Sequence, residues 1–260
     1  MQKKLIFLDV DGTIYNHDSE IPESALRAIN LLQADGHTLA IASGRAPLML
    51  QKVLKDTGIK NYVALNGQIV HVDGENIYLN PLNKKELLEL EQLATENNHP
   101  MVFFTEDKMV SNVDFHNDIE KSLNSIKIKH PQKEEAIVQN EPIYQALMFH
   151  DKKDEVIYDD KFASFKFYRW HEVSRDVVPS NGSKLEGIKR FCNHFNQDIK
   201  DAIAVGDGNN DFEMIEGIGY GIVMGNGVEN LKAIADLVTD DVSNDGLYKA
   251  FLKIGLIGRE

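Results

Sequence analysis

Near its start the chain runs through Leu5-Ile6-Phe7-Leu8, four apolar residues without alternation, and passes at once into Asp9-Val10-Asp11-Gly12-Thr13. An unbroken apolar run of this kind suits a strand buried on both faces of a parallel sheet, so a strand is predicted over residues 4–8. Helical spacing follows: Ala25, Ile29 and Leu32 share a face, Pro22 suits a first helical position, and Gly36 can close the end. Thr38 to Ala42 reads as a second buried strand ending at Ser43-Gly44-Arg45. Pro47 opens a helix that Gly58 stops, and Tyr62 to Leu65 is a third strand ending at Asn66-Gly67. The alternation resumes after residue 182, with a helix over about 184–196 carrying Leu185, Ile188, Cys192 and Phe195 on one side. Ala202 to Val205 then runs as a strand into Gly206-Asp207, and Tyr220 to Val223 forms another.

Strand, helix and strand repeated in this way predict an α/β fold, a Rossmann-like doubly wound parallel sheet with right-handed crossovers and helices on both faces. Between about 82 and 181 the rhythm changes to paired strand-like runs (Met101 to Thr105, Lys108 to Asn112, Tyr144 to His150, Phe165 to Trp170) mixed with two polar helices. The expected organisation is therefore a discontinuous core, residues 1–81 and 182–260, with an inserted α+β domain over 82–181. No Gly/Ser-rich or Pro-rich tract marks the joints, so they should be short.

Composition narrows the function. With 42% hydrophobic and 27% charged residues, disorder is excluded and a globular core is expected. Forty-one acidic against 28 basic side chains give a formal charge of −13, which disfavours nucleic acid and anionic membrane surfaces as partners. No obligate protein partner is inferred. The single cysteine, Cys192, cannot form an internal disulfide and reads as a buried thiol on a helix. Lys3 and Lys4 before Leu5 to Leu8 imitate an export signal, but Asp9 cuts the apolar stretch short, and no run approaches a membrane span of about 20 residues. A reducing cytosol is the expected location.

In an open parallel sheet, ligands sit beyond the carboxyl ends of the strands near a topological switch point. Asp9, Asp11 and Thr13 follow the first strand, Ser43 the second, Asn66 the third, and Asp207, Asn210 and Asp211 a later one, so these groups should converge on one edge. So many carboxylates together call for a cation, and hard oxygen donors suit Mg²⁺, which could then draw in an anionic phosphate. A calcium loop of the EF-hand type fails, because the sixth residue from Asp9 is Ile14 and the sixth from Asp207 is Phe212, where glycine is required. Nucleotide fingerprints fail too: Gly206 to Asp211 lacks the third glycine of G-x-G-x-x-G, and no G-x-x-x-x-G-K-[ST] occurs. Ser183 and Glu186 have capping-box spacing, which places Lys184 in the first turn of a helix beside free backbone N–H groups that favour an anion. Alone, Lys184 would read as an ordinary exposed lysine.

Asp9-Val10-Asp11-Gly12-Thr13, Ser43 after a strand, Lys184, and Gly206-Asp207-Gly208-Asn209-Asn210-Asp211 resemble, in order and setting, the four motifs of the haloacid dehalogenase superfamily. Ala64-Leu65-Asn66-Gly67 and Val223-Met224-Gly225-Asn226 are similar to stretches of its Cof-type sugar-phosphatase branch. The resemblance implies Asp9 as a nucleophile that forms an aspartyl-phosphate, and Asp11 as general acid then base, with a proton affinity raised by acidic neighbours. It implies Ser43 and Lys184, with Thr13 and Asn210, on the phosphoryl group, and Mg²⁺ on Asp9, the Asp11 carbonyl and Asp207, with Asp211 as ligand or support. The insert would be a type 2 cap that closes over the site and reads the leaving group.

Candidate readers of the substrate are Arg45 and Asn66 in the core and His116, Arg169, Trp170, His171 and Glu172 in the insert. For the insert residues the alternative is an ordinary surface position, or core packing for Trp170; Arg45 either touches substrate or pairs with a core acid. The expected activity is a Mg²⁺-dependent phosphatase of small phosphorylated metabolites, sugar phosphates above all. The alternatives are a phosphotransferase or mutase on the same scaffold and a non-catalytic phosphometabolite-binding regulator.

Overall fold

The computed structural model describes residues 3–258. In chain order the first part comprises β1 (Leu5–Leu8), α1 (Glu23–Ala34), β2 (Thr38–Ala42), α2 (Pro47–Thr57), β3 (Asn61–Ala64), β4 (Ile69–Val72) and β5 (Glu75–Leu79). The middle holds α3 (Lys84–Glu96), β6 (Met101–Phe104), β7 (Met109–Ser111), α4 (Asn117–Ser125), the short α5 (Ile137–Asn140), β8 (Gln145–Phe149), β9 (Phe165–His171) and β10 (Ser174–Pro179). The last part adds α6 (Lys184–His194), β11 (Ile203–Gly206), α7 (Phe212–Gly217), β12 (Tyr220–Val223), α8 (Glu229–Lys232), β13 (Leu237–Val238) and α9 (Gly246–Lys253). The chain divides into two compact units, residues 1–78 with 183–260, and residues 79–182.

The first unit is built on a sheet of order β13-β12-β11-β1-β2-β3-β4-β5. Strands β13 to β3 in that order pair in parallel, and β4 turns back antiparallel to β3. The chain winds outward from β1 through β2 and β3, then resumes on the other side of β1 with β11, so the order reverses between β1 and β11. That reversal opens a crevice at the carboxyl ends of these two strands. The apolar run over β1 is wholly buried, as a strand covered on both faces must be. Leu5, Phe7, Ala40, Ala42 and Val63 share a core with Ile188 and Phe191 of α6 and Met214 of α7.

Local chemistry sets most boundaries. Pro22 precedes α1, Pro47 begins α2, and Gly58 ends α2 in the left-handed conformation. The third strand stops one residue short of the predicted Leu65, because Leu65 and Asn66 both take positive φ and turn the chain. The sixth helix ends at His194, two residues early, before Asn196 at φ 51°.

The second unit is an antiparallel sheet of order β7-β6-β8-β10-β9 with α3 packed on one face. Its strand β10, between β8 and β9, is absent from the sequence prediction because Ser174-Arg175-Asp176 at its start and Pro179 at its end disguise it. Arg175 is buried there against Asp159 at 3.0 Å and over the Phe167 ring. Burial pushes the neighbouring Asp176 carboxyl up to about 7, against hydrogen bonds from Trp170 and Gln145. A folded-state pKa above the unfolded one means that Asp176 favours the fold below about 4 and that this contribution is lost as pH rises through about 7. Asp176→Asn, neutral at every pH, is expected to lower the difference in melting temperature between pH 5 and pH 8 relative to wild type. Equal differences in the two proteins would contradict the assignment.

Candidate active site

Register places the polar residues. Leu8 lies opposite Val205 on one side and Ile41 on the other, so the next residues of all three strands leave the sheet together. The Asp9 amide still donates to the Val205 carbonyl at 3.0 Å, which fixes the loop after β1 against the end of β11. Beyond it the chain tightens into a turn in which the amides of Ile14 and Tyr15 both donate to the Val10 carbonyl.

At the centre lies Lys184, 1% exposed at the start of α6, whose helix is capped by the Ser183 hydroxyl accepting from the Glu186 amide. Lys184 Nζ donates to Asp9 Oδ1 at 2.6 Å and to Asp211 Oδ1 at 2.7 Å. The lysine is therefore a buried tie between two loops, not the exposed residue of the alternative reading. Asp211, fully buried, also accepts through Oδ2 from the backbone amides of Asp207 and Gly208, at 3.0 and 2.9 Å. It shapes the loop that carries Asp207 as well as holding the lysine.

Carboxylate oxygens of Asp9, Asp207 and Asp211 gather within 4.8 Å of one another. Three carboxylates against one ammonium leave a formal deficit of two positive charges in a site largely shielded from water. Burial pushes Asp9 up to about 8, with Lys184 opposing and Asp211 and Asp207 adding to the rise. Asp207 is pushed up to about 6 by burial and then by Asp211. The two carboxylates raise Lys184 above its ordinary value despite its burial, so it stays protonated. A hard divalent cation fits this oxygen donor set and this charge deficit.

Thr13 is fully buried and its hydroxyl faces Asp207 Oδ1 at 3.4 Å, so in this structure it supports a carboxylate. Ser43, 2% exposed, has its hydroxyl accepting from the Arg45 amide at 3.2 Å. Asn66 sits at φ 53°, ψ 40°, a left-handed conformation that asparagine tolerates, with its amide donating to the Ser43 carbonyl. Asn210 is exposed on the turn Asn209–Asp211. The expectation of acidic crowding around Asp11 is corrected: its side chain is 60% exposed, stands outside the carboxylate cluster, and pairs with the Arg45 guanidinium.

Two glycines and an asparagine, whose roles the sequence alone did not reveal, hold the loops together. Gly12, at φ +79°, lies so close to Asp207 that a Cβ there would strike its carboxylate. Gly67, at φ +96°, lies under the Ser183 carbonyl, where a Cβ would collide with the start of α6. Asn226 donates through Nδ2 to the Gly12 carbonyl at 2.8 Å and to Asp207 Oδ2 at 3.2 Å, while its Oδ1 accepts from the Val242 amide. Only the M-G-N signature around residue 226 hinted at it.

In the second unit the candidate readers have internal partners. Arg169 donates to Glu155 at 2.5 Å and to the carbonyls of His150, His171 and Glu172. The ring nitrogen Nδ1 of His171 accepts from the Val173 amide at 3.4 Å, and His116 caps α4 through the Asp118 amide. Trp170 donates to Asp176, and Glu172 pairs with Lys121.

Residues 6–251 match the family model of the haloacid dehalogenase-like hydrolases. The chain is 42% identical over 257 residues to YkrA of Bacillus subtilis (strain 168), a candidate phosphatase by name, covering 99% of this chain and 100% of that one. A hypothetical protein from Geobacillus kaustophilus HTA426 has a crystal structure that aligns at 39% identity and TM-score 0.95, covering 98% of this chain and all of the other. The sugar phosphatase BT4131, assigned to subclass IIB of the superfamily, aligns at 25% identity and TM-score 0.83 over 98% of this chain and 100% of its own.

Both Asp9 and Asp207 must give up protons to hold a cation, so divalent-cation affinity is expected to fall as pH is lowered from about 8 to about 6. Calorimetric titration with Mg²⁺ and Mn²⁺ in parallel should also show proton release. Affinity flat across that window would contradict the raised proton affinities of Asp9 and Asp207.

Proposed function

The chain belongs to the haloacid dehalogenase-like hydrolase family and is a phosphoric monoester hydrolase, and we propose that it is a cytosolic, Mg²⁺-dependent phosphatase of small phosphorylated metabolites, sugar phosphates foremost. The observation that carries this reading is the convergence of Asp9, Asp207 and Asp211 around the buried Lys184. A relative named as a phosphatase and a structural neighbour named as a sugar phosphatase support the substrate class. The lone, buried Cys192 accords with a reducing compartment.

Asp9 is the nucleophile. Lys184 grips its Oδ1, which orients the carboxylate for attack on phosphorus along the line of the departing oxygen. The new bond joins an Asp9 oxygen to phosphorus, the bond from phosphorus to the ester oxygen breaks, and Asp11 gives its proton to the departing alcohol. Water then attacks the aspartyl-phosphate while Asp11 takes the proton back, releasing phosphate and restoring Asp9. Asp9, Asp207 and the Asp11 carbonyl are the groups that would hold Mg²⁺, which supplies the positive charge that keeps Asp9 ionised and offsets the phosphoryl oxygens. Ser43 and Lys184 bind those oxygens from the protein side, and Asp211 keeps Lys184 and the Asp207 loop in place.

A phosphate-release screen over many phosphomonoesters, with and without Mg²⁺, tests this directly. Asp9→Asn is expected to reduce turnover on the order of 10³-fold or more while the protein stays folded, since the change is nearly isosteric. Comparable turnover by the variant refutes the nucleophile assignment. An isomerised sugar phosphate without released phosphate would instead identify a mutase.

A further inference from the structure

Asp11, the acid and base of the proposed reaction, is held in an unusual way for so exposed a group. Its side chain is 60% exposed, while Asp9 two residues earlier is buried. An open carboxylate on a loop ordinarily spreads over several rotamers. Here Arg45 Nε donates to Asp11 Oδ2 at 2.8 Å and an Arg45 Nη donates to Asp11 Oδ1 at 2.6 Å. That is the planar two-point grip of a guanidinium on a carboxylate, which fixes direction as well as distance.

Arg45 is anchored through its backbone and rests its guanidinium against a ring. Its amide donates to the Ser43 hydroxyl, its carbonyl accepts from the Leu65 amide at 3.0 Å, and its guanidinium lies 5.7 Å from the centroid of the Tyr15 ring. Tyr15 is tied into the Asp11 loop through the Gly12 amide, which donates to the Tyr15 carbonyl at 2.9 Å. The turn after β1 and the turn after β2 thus close on each other through one side chain. A carboxylate oxygen has two lone-pair sites, so a grip that uses one on each oxygen leaves another on each for a proton in transit.

Resting on the phosphatase reading above, we infer that Arg45 is the positioning residue for Asp11 and acts on leaving-group protonation through it, not through the phosphoryl group. Departure of an alkoxide needs a placed acid; departure of p-nitrophenolate does not. The quantity to compare is kcat/KM, which reports steps up to departure and is blind to later hydrolysis of the aspartyl-phosphate. Arg45→Ala is expected to lower kcat/KM on the order of 10- to 100-fold for an alkyl phosphate and by less than about threefold for p-nitrophenyl phosphate. Arg45→Lys keeps the charge but not the two-point grip and should recover little of the loss. In an Asp11→Asn background, Arg45→Ala should add almost nothing. Equal losses on the two esters, or losses that add to that of Asp11→Asn, overturn the inference. Crystals of Arg45→Ala give a readout independent of turnover: Asp11 should spread over several rotamers, and a single unchanged rotamer overturns the inference. If the wild type hydrolyses no ester of the wider phosphomonoester screen, the phosphatase reading fails while those crystals still decide whether Arg45 positions Asp11.

Discussion

One buried ammonium facing three carboxylates is the constraint on which the active site depends. A lysine with no exposed side-chain surface would be costly without partners, and Lys184 has two, Asp9 and Asp211, from loops that follow different strands. Either pair alone would be neutral; the two together already carry one negative charge in excess. With Asp207 in the same cluster the site keeps a deficit that burial turns into raised proton affinity at Asp9 and Asp207. The arrangement is poorly suited to stabilising a fold and well suited to taking up a cation together with an anionic ester.

The fold brings these groups together by topology first and by close backbone approach second. Reversal of strand order between β1 and β11 makes their carboxyl ends neighbours. Gly12 lets the first loop lie against Asp207, Gly67 lets the turn after β3 lie against the start of α6, and Asn226 ties the Gly12 backbone to Asp207. Each of these contacts fixes one loop of the candidate site against another. Placement of the carboxylate cluster thus rests partly on Gly12, Gly67 and Asn226, which lie outside it.

Much of this was legible in the sequence, and the reasons are specific. Fully buried parallel strands announce themselves as unbroken apolar runs, so β1, β2 and β12 stand where the residue pattern puts them. Proline and glycine at helix ends marked α1 and α2 for the same local reasons. Strands that break the pattern did not show: β5 is an exposed edge strand, and β10 carries Arg175 and Asp176 in the interior of a sheet. Motif order singled out Asp9, Asp207, Asp211 and Lys184, but the surroundings of Asp11 depend on which side chain the turn after β2 offers, and spacing does not encode that. Arg169 is a similar case: a cation in a strand looks available until its carbonyl and carboxylate partners are known.

On the proposed reading, this charge cluster makes the Asp9 carboxylate a phosphoryl acceptor. Acid quench of the protein within the first turnover of a phosphate ester, followed by peptide mass spectrometry, tests it most directly. The added mass of one phosphoryl group is expected on the peptide carrying Asp9, labile to hydroxylamine as an acyl phosphate is. A phosphoryl group on any other residue, or free phosphate accumulating through a burst with unmodified Asp9, would contradict it.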